Sequence, residues 1–569
     1  RQSIADAISK HGKSMRIGEI LVEQGLISDS DLQTALTIQR DQGKPVGEVL
    51  VHMGAISERT LLQNIAHQAS VPYIEPSLGM LDRRVLDSCS PDYMEKYNFV
   101  PFNLTEERDY LVIVSHLRND DTIHALGDVY QGRYKIALGP REIIQQTIEE
   151  IRKFKSSQAG RGEEGEESSI INLVNHILAQ AIDDRASDVH IEPQSNNIRL
   201  RYRIDGALVY KTDLPLDLLP QIVSRIKIMA ECDIAERMRH QGGRLQFEHN
   251  GEEYDMRLSI YVTVHGETCV IRVLNKQMGL VNLDELGMVP TMRERYKRDV
   301  LDMPTGVVMI TGPTGSGKTT TLYSCLDYNN NVERKIITAE DPVEFMIDGL
   351  IQCSTSDKAG RTFESSLREI VRQDPDIIVL GEIRDKLTAE IAIQAALTGH
   401  KVYTTFHTED TIGGLVRLLN MEIEAFLISS TVISVVAQRL LRRICDQCST
   451  PYQPTPLELA RLDLDHAELR TYEFKKGRGC KNCSYTGYRG RVGVYELLVV
   501  NQEVQEAILA KRSAHEIRHI SQETTGLVSM REDGIAKVIR GHTTFDEVLR
   551  YTPRTMEQRP LGELLSITK

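Results

Sequence analysis

The sequence predicts a multidomain α/β protein, and three observations carry that expectation. A chain of 569 residues exceeds what one hydrophobic core organises. The stretch GVVMITGPTGSGKTTTLYS, Gly306 to Ser324, reads as a buried strand, a glycine-rich turn and the start of a helix. Upstream of it the patterning changes, from short helical units at the front to alternating strands in the middle.

The front, residues 1–155, contains a repeat. RIGEILVEQGLISDSDLQTALTIQ (16–39) and PVGEVLVHMGAISERTLLQNIAHQ (45–68) align without a gap. Each reads as a helix broken by Gly25 or Gly54, then a second helix capped by Ser28 or Ser57, and each is too small to bury its apolar face alone. From Val71 to Lys155 short strands such as YLVIVS mix with helical runs, as in a small α/β module. SSQAGRGEEGEESS, 156–169, reads as a flexible linker and a hinge. Residues 170–280 alternate apolar and polar positions in SDVHIEP, IRLRYRIDG and YDMRLSIYVTVHGETCVIRVL, which indicates a sheet, with a helical segment from Leu216 to about Ile234. Residues 281–569 read as α/β with a mostly parallel core sheet.

Composition is ordinary for a globular chain, 41% hydrophobic and 26% charged without Trp. The net charge of −13 argues against bulk electrostatic binding of a nucleic-acid polymer, and no basic aromatic groove is visible. The best candidate for a spanning segment, FLISSTVISVVAQRLL from Phe426, is short and polar for a bilayer core and is expected to be a buried helix. The chain is therefore expected to be cytoplasmic, with peripheral attachment to a membrane complex left open, and its initial Arg is expected to mark a trimmed start.

GPTGSGKTT matches the phosphate-loop pattern in full. Gly312, Gly315 and Gly317 allow the tight turn, Pro313, Thr314 and Ser316 complete it, Lys318 brings a charge to the outer phosphates of a nucleotide, and Thr319, followed by Thr320, offers a hydroxyl to Mg²⁺. Downstream, the strand in RQDPDIIVLGEIRD delivers Glu382 to the place of a Walker B acid, and KIITAEDPVEF ends a strand at Glu340, a candidate general base. TGHKVYTTFHTED adds His400 and His407, of which a residue near the γ-phosphate could sense hydrolysis. Cys445, Cys448, Cys480 and Cys483 form two C-x-x-C pairs, which in a reduced chain of nine cysteines imply structural Zn²⁺. The interval between the pairs predicts a helical excursion in PLELARLDLDHAELR.

Together GPTGSGKTT, AEDPVE, RQDPDIIVLGEIRD, AALTGHKVYTTFHT and the paired cysteines resemble the ATPases of type II secretion and type IV pilus assembly, from about Ser168 to near the C-terminus. The resemblance implies a PAS-like α+β domain over 170–280 and a RecA-like motor domain over 281–569 with a four-cysteine zinc insertion at 445–483. It implies a homohexamer with ATP at the join of the two domains, in the cytoplasm and peripherally on the inner membrane. It implies as partners an inner-membrane platform protein, a docking protein and, indirectly, pilin-like subunits. Arg257 of MRLS and Arg272 of VIRVL match the family's phosphate-reaching arginines, and Arg203 of RYRIDG matches less well. The two cysteine pairs and the long front module resemble the assembly branch more than the retraction branch, while pilus and secretion pseudopilus both stay open. A nucleotide-regulated scaffold without steady turnover and a DNA-transfer motor of the same superfamily are the alternatives.

The front repeat is similar to the MshE-type N-terminal domain, whose paired motif binds cyclic di-GMP. Arg16, Gly18, Leu21, Gly25, Leu26 and Gln39 follow that pattern in the first unit, and Gly47, Leu50, Gly54 and Gln68 in the second. The second unit departs from it where Pro45 and Val46 replace Arg-Leu, leaving Lys44 one position early, and an ammonium does not stack as a planar guanidinium does.

Overall fold

A computed structural model describes residues 16–105, 108–117, 119–157, 166–274, 280–356, 359–454, 472–554 and 559–568, together with 458, 459, 461 and 469. The chain divides into two compact units, Arg1–Lys276 and Gln277–Lys569.

In the first unit the repeats form four helices, α1 (Ile17–Glu23), α2 (Asp29–Gln42), α3 (Val46–His52) and α4 (Glu58–Ala69). Gly25 and Gly54 follow α1 and α3 at φ 68° and 72°, in the left-handed region open to glycine. Ser28 and Ser57 cap α2 and α4, each Oγ accepting at 3.1 Å from the N–H of Asp31 or Thr60. A Cβ on Gly18 would stand 2.4 Å from a Leu32 methyl, and one on Gly47 would stand 2.9 Å from Leu61, so these glycines set the close approach within each helix pair.

Next come β1 (Phe99–Leu104), β2 (Tyr110–Val114) and β3 (Tyr134–Leu138) in one sheet, with β1 antiparallel and β3 parallel to β2. Helices Arg141–Ser157 and Glu166–Asp183 lead to a six-stranded antiparallel sheet. Its strands are β4 (Ala186–Pro193), β5 (Asn197–Ile204), β6 (Ala207–Pro215), β7 (Gln241–His249), β8 (Glu252–Thr263) and β9 (Gly266–Leu274), in the order β6-β5-β4-β9-β8-β7. The helical segment expected from Leu216 is a 3-10 turn, Leu216–Leu218, followed by a helix that stops at Met229, so Ile234 falls beyond it.

The expected linker is shorter than 156–169. Ser157 still ends a helix and the next helix starts at Glu166; the part between, 158–165, lies outside the described residues. Nor do the flanking segments act as separate bodies, because one apolar core runs from Leu62 through Val112 and Val174 to Ile271. Polar contacts reinforce it. Ser77 Oγ lies 2.7 Å from His176 Nε2, and the Tyr73 carbonyl accepts from the Asp213 N–H at 3.1 Å.

The second unit is built on a seven-stranded sheet, β12-β11-β13-β14-β10-β15-β18. The strands are β10 (Gly306–Thr311), β11 (Ile336–Glu340), β12 (Leu350–Ser354), β13 (Ile377–Leu380), β14 (Lys401–Phe406), β15 (Val432–Ile444) and β18 (Tyr488–Val499). All adjacent pairs are parallel except β15 with β18. The four central strands are buried at every position, which is why GVVMI and IIVL are continuous apolar runs instead of alternating ones. Two apolar cores cover the two faces.

The stretch from Phe426 corrects an expectation. Its first part is helical, Ala425–Thr431, but VISVVAQRLL is β15, paired with β10 on one side and β18 on the other. The β-branched residues of VISVV favour the pleated site, and two waiting strand partners outweigh helical periodicity. The helical excursion expected between the cysteine pairs lies for the most part outside the described residues. A short antiparallel pair, β16 (Ser449–Tyr452) and β17 (Phe474–Gly477), brackets it.

Candidate functional site

The phosphate loop joins β10 to the helix Lys318–Asn329. A Cβ on Gly312 would lie 2.6 Å from the Gln438 carbonyl oxygen and 2.5 Å from Ser316 Oγ, so only glycine closes this turn. Gln438 of β15 braces the loop from beneath, its Nε2 donating to the Ser316 carbonyl at 2.7 Å. Gly317 caps the helix in a left-handed conformation without a side-chain acceptor, and the helix N-terminus favours an anion there. Lys318 Nζ donates to the carbonyls of Gly312 at 2.8 Å and Pro313 at 3.1 Å. Burial pushes its ammonium down to about 8, the Glu382 charge pulls it back up, and Arg439 adds repulsion. A cation held at that disadvantage gains by meeting phosphate oxygens.

Parallel strands deliver the other residues to the same sheet edge. β11 ends at Glu340, β13 ends two residues before Glu382, and β14, between β10 and β13, ends just before His407. Glu340 is 4% exposed and accepts from Thr338 Oγ1 at 2.6 Å, Gln352 Nε2 at 3.3 Å and the Tyr323 hydroxyl. Glu382 accepts from Arg384 Nε at 2.6 Å and faces His407 Nε2 at 3.3 Å, while Arg384 also donates to Asp341 at 3.1 Å. His400 is not part of this edge. It precedes β14, at the opposite end, with Nδ1 2.9 Å from the Ala395 carbonyl oxygen.

In the first unit, Arg257 and Arg272 are direct partners across β8 and β9. Asp188 faces two arginines, Arg272 Nε at 3.1 Å and Arg203 Nε at 3.7 Å, whereas Arg257 Nε is buried without a hydrogen-bond partner among the described residues. In the repeats, Leu21 and Leu50 are fully buried core residues, as is the backbone of Gly18 and Gly47, while Arg16, Leu26 and Gln68 are exposed and Gln39 is half-buried.

The four cysteines converge. Cys445 with Cys480, Cys448 with Cys483, and Cys480 with Cys483 all stand 3.8 Å apart at sulfur. Four thiolates around Zn²⁺ at about 2.3 Å would be about 3.8 Å apart, whereas a disulfide needs about 2.05 Å. The backbone supplies N–H donors suited to thiolates, Gly479 to Cys448 at 3.3 Å, and Cys480 and Gly487 to Cys483 at 3.2 and 3.3 Å. The cage fits a closed, tetrahedral structural zinc.

Sequence reasoning missed Gln438, Arg384 and Tyr323. Gln438 had a signal, a lone amide within the apolar run VVAQRLL, and Arg384 sits two residues from Glu382. Tyr323 had none, because it lies on the loop helix and its partner lies at the end of β11.

A glycine-rich loop, a lysine and strand-end acids on one parallel sheet edge define a P-loop ATPase with a RecA-like core. The chain belongs to the type II/IV secretion system protein family, whose model matches residues 163–550, and a second model, the MshEN domain, matches residues 69–158. It is 38% identical over 590 residues to the type IV pilus assembly ATPase PilB of Thermus thermophilus, covering 94% of this chain and 66% of that relative. It is 36% identical over 563 residues to the type II secretion system protein E of Xanthomonas campestris, covering 94% and 98%. The solved structure of the Yersinia pseudotuberculosis ATPase DotB shares the fold, with a TM-score of 0.50 at 20% identity over 67% of this chain and 93% of that one. The MshEN match begins after the two repeats. Among the described residues, no helix is long and apolar enough to cross a membrane.

Proposed function

We propose that the chain is a hexameric motor whose ATP hydrolysis drives assembly of a type IV pilus or a type II secretion pseudopilus. The observation that carries this reading is the convergence of Lys318, Glu340, Glu382 and His407 with the phosphate loop on one sheet edge, in a chain of this family. Lys318 and the loop N–H groups hold the β- and γ-phosphates, and Thr319 and Glu382 would hold the Mg²⁺ that neutralises charge on them. Glu340 or Glu382 orients the attacking water, and His407 reports the state of the γ-phosphate through Glu382. Arg257 and Arg272 stabilise charge on the leaving γ-phosphate. The four cysteines hold a structural zinc. Working in the cytoplasm against the inner membrane, the motor turns a platform protein that adds pilin-like subunits, and a docking protein holds it there through the front module.

The front repeats are the regulatory input, binding cyclic di-GMP through Arg16, Leu26, Gln39 and Gln68. What supports this is the resemblance of residues 16–39 to the paired motif, with the surface exposure of Arg16, Leu26 and Gln68.

The motor reading is tested by complementation with Lys318→Ala. Filament assembly is expected to stop while the oligomer persists; assembly at the wild-type level would overturn it.

A further inference from the structure

We propose that Tyr323 is a positioning residue for ATP hydrolysis, its hydroxyl coupling the phosphate-loop helix to the orientation of Glu340. The inference rests on the reading of Glu340 as a carboxylate that orients water.

Three donors reach Glu340, and they differ in where they come from. Thr338 is on β11 itself, two residues away, and Gln352 is on β12, the next strand. Both move with the sheet. Tyr323 is on the helix that begins at Lys318, so it moves with the residues that meet the phosphates. It is the one donor among the described residues that ties Glu340 to the loop.

The phenol is built as a fixed coupling. Its side chain is fully buried and its ring meets Phe345 edge-on, with centroids 4.7 Å apart and planes at 82°. The oxygen donates to Glu340 and accepts from the Glu344 N–H at 3.3 Å, so one atom joins the loop helix to both ends of the segment EDPVE. Burial first, and then the hydrogen bond to Glu340 and its charge, push the phenol far above its ordinary range, so at neutral pH it keeps its proton and donates. A displacement of the helix on phosphate binding is thereby passed to the carboxylate through a ring held by its packing against Phe345.

A coupling role and a purely structural role for this tyrosine separate experimentally. Tyr323→Phe keeps the ring and removes only the oxygen. In the full-length chain, kcat is expected to fall about tenfold with KM for ATP within about twofold. Thr338→Val, which removes a sheet-borne donor, should also lower kcat with KM for ATP little changed and provides the second measurement if Tyr323→Phe folds poorly. Glu340→Gln is run beside them. Wild-type kcat in Tyr323→Phe, with Glu340→Gln inactive, overturns the coupling and leaves the role of Glu340 standing. Full turnover in Glu340→Gln overturns the role of Glu340, and the coupling with it.

Discussion

His407 Nε2 stands 3.3 Å from Glu382 Oε2, across the ends of two neighbouring parallel strands. On the other side of the same carboxylate, Arg384 Nε donates at 2.6 Å. Glu382 is thus held between two side chains of which His407 is half exposed, and that exposure leaves His407 room to follow a bound phosphate. His407→Ala is expected to keep ATP affinity within about threefold and to lower kcat by about tenfold to a hundredfold. Steady-state hydrolysis alongside nucleotide titration checks this, and loss of binding without loss of kcat would count against a sensing role.

Lys318 gives a pH dependence with a defined sign. Its ammonium is pushed down to about 8 by burial, so it is charged below that pH and neutral above it. Phosphate contact needs the charged form, and ATP affinity should therefore be level up to about pH 8 and fall above it by up to about tenfold per pH unit. Titrations at pH 7 and pH 9 measure the difference. Lys318→Ala should bind weakly at both and lose this dependence.

The sulfur spacing predicts about one zinc per chain, lost in Cys480→Ser. Cys445 sits at the end of β15, and Cys480 and Cys483 precede β18, so the cage pins together the two strands that close the sheet beside the phosphate loop. Chelation should lower the melting temperature by several degrees, and metal analysis with thermal denaturation reads both effects. A full-stability chain without metal would contradict the structural role.

For the front module, calorimetric titration of cyclic di-GMP into the full chain is expected to show binding that Arg16→Ala weakens at least about tenfold. The asymmetry of the repeats, arginine in one and Pro45 in the other, predicts weaker binding than two arginine-bearing units would give. Heat unchanged by Arg16→Ala would leave the module as a docking surface alone.

The parts that were legible in the sequence are those whose chemistry is local. The phosphate loop, each strand-end acid and each C-x-x-C pair are read from a segment of about fourteen residues or fewer, and the caps at Ser28 and Ser57 depend on residues three positions on. The residues that were not legible act through long-range pairing. Gln438 reaches Ser316 over 122 positions, and Tyr323, on the loop helix, reaches Glu340 at the end of β11. VISVVAQRLL misled for the same reason, since its strand character depends on β10 and β18, which flank it from far away in sequence. His400 and His407 look alike in sequence, and only the direction of β14 separates them.

The most direct test of the account is ATP binding and single-turnover hydrolysis by Glu382→Gln. Glutamine keeps the shape and one acceptor but removes the charge that the site uses toward Mg²⁺ and water. Binding within about fivefold of wild type with turnover reduced at least about a hundredfold is the predicted result; wild-type turnover would contradict the assignment of this sheet edge as the hydrolytic site.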